Sequence, residues 1–141
     1  MSAMRSRLCR LAGTLIAMGV LATTASAHHS FAMFDMEKDV EFKGIVTEYV
    51  WANPHVHVFV RIEPGPGVDP ALVGLWDFEC NGSITIMSRQ GWTKATLKPG
   101  DPIHGVMRPL RDGNKGGALW YMIKPDGTRL YTDIARPKAG E

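Results

Sequence analysis

Of the five histidines in this 141-residue chain, four fall in two pairs, His28-His29 and His55-x-His57. Imidazole nitrogen suits copper, zinc and nickel. His55 and His57 are two positions apart in an apolar, strand-like segment, so their side chains project from one face. Asp77 and Glu79 repeat that spacing in the next apolar segment. Antiparallel pairing of the two segments would lay these carboxylates near His57. The spacing therefore predicts a divalent transition-metal site drawn from His28, His29, His55, His57 and Glu79. Copper(II) is the first expectation, because nitrogen-rich sites favour it most strongly in the divalent series. Met33 and Met36 add thioethers, soft ligands that suit copper(I). The plainer alternative is that His-x-His decorates an exposed strand, the two methionines pack the leader, and His104 is a hydrogen-bonded structural histidine.

The first pair acquires its chemistry from what precedes it. Arg5, Arg7 and Arg10 form a basic n-region, Leu11 to Ala22 an apolar h-region, and Ala25-x-Ala27 a cleavage site, the three parts of a secretory signal. Cleavage of residues 1–27 would leave His28 first, able to chelate through its α-amino and ring nitrogens together. The apolar run is well short of the ~20 residues that span a bilayer, and no cysteine directly follows it, so neither a transmembrane segment nor a lipoprotein anchor is expected in the mature chain. The expected location is periplasmic or secreted. Charge follows the same division: of 16 Lys and Arg, three leave with the signal, and the remaining 13 face 14 Asp and Glu. A mature chain near neutrality lacks the concentrated positive charge that nucleic acid requires. Cys9 also leaves, which makes Cys80 the lone thiol. It shares strand parity with Trp76 and Phe78 and is expected as a small buried hydrophobe, with pairing to another molecule or a metal as the alternatives.

The elements that must position these residues read as short strands. A first strand is expected over about 41–52, with Gly44 marking a bulge or bend. Asn53-Pro54 then makes a turn. A second strand over 55–63 sets Val56, Val58, Val60 and Ile62 on one face and His55, His57, Phe59 and Arg61 on the other. After the Pro64–Gly67 loop, a third strand ends near Cys80. Ser83 caps a short helix to about Gln90, with Gly91 at its end. A fourth strand runs to about Leu110, a glycine-rich polar loop covers 111–117, and a fifth strand spans 118–124 with a short extension to Tyr131. The organisation is a signal at 1–27, a leader at 28–40, a domain at 41–132 and a flexible tail at 133–141. Five strands with one helix between the third and fourth predict an all-β fold with one short helix, a small OB-like Greek-key barrel. The runner-up is a small β-sandwich.

His28-His29-Ser30-Phe31 after the signal, Trp51-x-Asn53-Pro54-His55, Gly91-Trp92, Leu97-Lys98-Pro99-Gly100-Asp101 and Pro125-Asp126-Gly127 resemble a secreted bacterial domain-of-unknown-function family, numbered 6152. The resemblance covers essentially the whole mature chain. It implies an exported small β-protein and supplies no catalytic residues. His57 departs from the family pattern, which more usually has an aromatic or aliphatic residue there.

No nucleophile elbow, phosphate loop or His-Glu-x-x-His motif is present. Trp51, Trp76, Trp92, Trp120 and Tyr121 would pack the barrel or stack on a ligand. Arg108, Arg111 and Lys115 would form a solvated loop or meet an anion. The expected function is a non-catalytic periplasmic binding module for a transition metal. An envelope-protein interaction module and a binder of a small anionic or carbohydrate ligand are the alternatives.

Overall fold

The computed structural model describes residues 31–132. The signal at 1–27, His28 and His29, and the tail at 133–141 lie outside the described residues. The chain divides into two compact units, Met1–Ala32 and Met33–Glu141, and the barrel belongs to the second.

Six strands form one sheet: β1 (Val40–Val50), β2 (Val56–Ile62), β3 (Gly74–Cys80), β4 (Pro102–Pro109), β5 (Gly116–Ile123) and β6 (Arg129–Tyr131). Their order is β3-β2-β1-β4-β5-β6, and β3 also pairs with β5. That parallel pairing, Asp77 opposite Gly116 through Cys80 opposite Leu119, closes the first five strands into a barrel. Closure removes the exposed edges that an open sheet would have to protect, and it excludes the two-sheet sandwich. Among the described residues the one α-helix, α1 (Ile84–Arg89), lies between β3 and β4, as an OB-like order requires. The extension to Tyr131 is a sixth strand outside the ring, paired with β5 through Tyr121–Tyr131.

Alternation on β2 is what builds the core. Val56, Val58, Val60 and Ile62 are buried, and Trp76, Phe78 and Cys80 meet them from β3. Facing pairs include Val58 with Phe78 and Val60 with Trp76. Met87 of α1 and Trp92 just after it belong to the same buried core, and the Trp92 indole donates to the Tyr131 carbonyl at 2.9 Å. Ser83 caps α1 and Gly91 leaves it with φ +95°, a conformation natural to glycine. Among the described residues no helix is long and apolar enough to cross a membrane.

Two expectations about glycine are corrected. Gly44 carries no bulge: it stays in register opposite Ile103, and the irregularity falls between Val46 and Glu48. Glycine is needed instead for close approach, since a Cβ on Gly44 would lie 2.5 Å from a Val60 methyl and 2.7 Å from the Arg61 carbonyl oxygen. Gly116 and Gly117, assigned to the loop, open β5. Gly117 faces Pro109 across the ladder, and a Cβ there would sit 2.8 Å from the Arg108 carbonyl oxygen.

Candidate functional site

The outer face of β2 and β3 gathers the second histidine pair with the acidic pair. Because the valines face inward, His55 and His57 must face outward, and the register sets His57 opposite Glu79 and Phe59 opposite Asp77. The bonds run on the slant of this ladder. His57 Nδ1 meets Asp77 Oδ1 at 2.8 Å, and His55 Nδ1 meets a Glu79 carboxylate oxygen. An ionised carboxylate only accepts, so each imidazole carries its hydrogen on Nδ1 and, when neutral, keeps a lone pair on Nε2. The two imidazoles, on alternate positions of one strand, are thus each oriented by a carboxylate of the neighbouring strand. The Phe59 ring stacks beside His57 with centroids 6.2 Å apart. At the other end of the face, Asn53 of the turn before His55 accepts from the Ile84 amide at 3.3 Å, which ties that turn to the start of α1.

A cleft of about 150 Å³ borders this face, lined among others by Met33, Phe34, His57, Asp77, Glu79 and Lys115. Gly116 leaves room in its bed, for a Cβ there would lie 2.7 Å from Leu110 Cδ1. Phe34 is only 2% exposed and bridges Leu110 in antiparallel fashion. Backbone bonds on either side of it, from the Asp35 amide to Pro109 and from the Arg111 amide to Met33, are 2.8 and 2.9 Å. Phe34 and these backbone bonds together hold residues 33–35 at the cleft. Packing by both methionines is corrected by this geometry: Met33 is 47% exposed, and the aromatic beside it does the packing.

The predicted ligands separate into two groups. His55, His57 and Glu79 come together. Asp77 belongs with them and was not in the predicted set; its signal was the slant of the β2–β3 ladder, which needs the register. His28 and His29 lie outside the described residues. Glu79 is engaged with His55, which makes it an orienting group. Among the described residues, no three His, Cys, Asp or Glu side chains group closely enough to hold a metal ion by themselves. His104 stands on another part of the barrel, where its Nε2 meets Glu41 at 2.5 Å. Cys80 is fully buried and its thiol is pushed up, first by burial and then by Glu79 and Asp77.

The cations and aromatics settle into internal partnerships. The Arg108 guanidinium lies 3.5 Å from the centroid of the Trp120 ring and its Nε donates to Asp39 at 2.9 Å. Arg111 approaches Asp35 at 3.7 Å, and Lys115 donates to the Ala71 carbonyl at 3.0 Å. Arg111 and Lys115 are exposed, as expected of a solvated loop, while Arg108 belongs to β4 and is held against Trp120. Trp76 and Trp92 are core residues, while Trp51, Trp120 and Tyr121 are half-buried. No curated protein and no solved structure matches the chain. A family model described as a family of unknown function matches residues 16–119, a span that runs through the paired histidines and carboxylates and both sides of the cleft. The chain belongs to that family, DUF6152.

Proposed function

We propose that this protein is a non-catalytic periplasmic module that binds a transition metal, copper before others, through Nε2 of His55 and His57 and through the amino-terminal His28. The observation carrying the reading is that both strand imidazoles are oriented by carboxylates at Nδ1, leaving Nε2 as the outward donor. Metal-ligating histidines almost always donate their other ring hydrogen in this way. Nitrogen donors in this number favour copper(II).

Calorimetry on processed protein beginning at His28 tests the reading. About one copper(II) is expected to bind tightly and to weaken as pH falls, because protons compete for imidazole. One alanine added before His28 should damage binding by separating the amine from its ring, and His57→Ala should weaken it as well. Equal affinity in all three proteins would refute it. A second reading, an envelope-protein interaction module, draws on Leu75, which is 54% exposed on the same outer face. Loss of a partner on Leu75→Asp, with copper binding absent, would favour it.

A further inference from the structure

A second cleft, of about 430 Å³, opens where β1, β4 and the β5–β6 turn meet. Pro102, Ile123 and Pro125 give it apolar walls, and Lys43 and Lys124 border it. Strand register sets these residues side by side. Lys43 lies opposite His104, and Gly105 lies opposite Met122, which brings Ile123 level with His104. Lys43 and His104 point outward, since Phe42 and Ile103 beside them are core residues.

Neither ammonium is held by a close carboxylate. Glu41, on the same face as Lys43, is engaged by His104 Nε2 at 2.5 Å, and Lys43 forms no ion pair among the described residues. Lys124 stands 3.9 Å from Asp126, beyond hydrogen-bond reach. The other oxygen of that carboxylate accepts from the Thr128 amide at 2.8 Å. No Asp, Glu, Phe, Tyr or Trp among the described residues borders the cleft.

We propose that this cleft binds an aliphatic carboxylate, its carbon chain on Pro102, Ile123 and Pro125 and its headgroup met by Lys43 and Lys124. The volume, the apolar walls and the few charged groups are those of a small-molecule site. Walls of this kind take part of a chain out of water, and two cations at the rim select a negative headgroup. With no large aromatic ring to stack on, the walls suit an alkyl body. Ile45, opposite Pro102 and 41% exposed, continues the apolar surface past the cleft. None of His55, His57, Asp77 or Glu79 borders it, so the site stands independently of the metal reading.

The test titrates isotope-labelled processed protein with octanoate and follows the amide resonances. Shifts should gather at Lys43, Gly44, His104, Ile123 and Gly127. Affinity should fall about fourfold for each methylene removed from the buried chain. Lys43→Gln and Lys124→Gln should each weaken binding by about three- to fivefold, while Lys94→Gln, outside the cleft, should not. These lysines are exposed or half-buried, so folding is not at stake. Absence of octanoate binding, equal binding of octylamine, unaltered affinity in both cleft variants, or shifts gathered elsewhere would overturn the proposal. Binding to vesicles of anionic phospholipid with none to free octanoate would overturn it too, by showing attraction to a charged surface in place of a cleft.

Discussion

His57 faces Glu79 across the β2–β3 ladder yet gives its Nδ1 hydrogen to Asp77, 2.8 Å away on the diagonal. Glu79 is thereby left to His55. The two pairs are offset in the same sense, so each imidazole leans along the strand and neither carboxylate is shared. Removing one carboxylate should disturb one imidazole only.

Asp77→Ala should therefore lower copper(II) affinity by about 10- to 100-fold through loss of the orienting bond. Glu79→Ala should do the same through His55. Asp77 is 48% exposed in its side chain, so its removal should leave the urea midpoint nearly unchanged, as exposed pairs contribute little to stability. Calorimetry and urea unfolding on the same preparations separate the two effects. Full affinity in Asp77→Ala would reduce the carboxylates to ordinary surface pairs.

Gly44→Ala tests the close approach that shapes the barrel. The added methyl would lie 2.7 Å from a backbone oxygen, that of Arg61, and backbone cannot yield as a flexible side chain can. A loss of about 1–3 kcal/mol is expected, the usual range for overpacking, read from urea unfolding. A neutral result would show that β1 and β2 separate there at no cost.

How much of this was legible in the sequence depends on the range of the interaction. The β2 alternation placed the valines and histidines on opposite faces, and Ser83 with Gly91 marked both ends of α1. The approach of the β3 carboxylates to His57 followed from the hairpin alone. Asp77 as partner to His57 needed the slant of the ladder, a detail of register. Phe34 looked like any apolar residue of a patternless leader, because its partner Leu110 is 76 positions away. Gly44 read as a bulge or bend because glycine in a strand signals a bulge, a bend or close approach, and only the pairing of the strands decides among them. The Arg108–Trp120 stack was equally silent, since it depends on the β4–β5 pairing.

Cys80 carries a prediction of pH dependence. Burial first, and Glu79 and Asp77 after it, hold the folded thiol protonated well above its ordinary value. The unfolded chain would ionise it near pH 8.5. Above that pH the folded state binds more protons than the unfolded state, so unfolding becomes progressively easier as pH rises; below it the group has no influence on the slope. Tyr49 acts in the same direction at higher pH, its hydroxyl raised by burial and by Cys80 from an ordinary value near 10. Urea unfolding at pH 7.5, 8.5 and 9.5 should show falling stability in the unmodified protein. Cys80→Ala should lower stability at every pH by leaving a small void, but its decline between pH 8.5 and 9.5 should be shallower by up to about 1.4 kcal/mol per pH unit, the limit for one proton. The same buried thiol should resist thiol reagents in the native protein and react in urea. Rapid native labelling, or an identical pH slope in Cys80→Ala, would show that the thiol reaches solvent in the folded state.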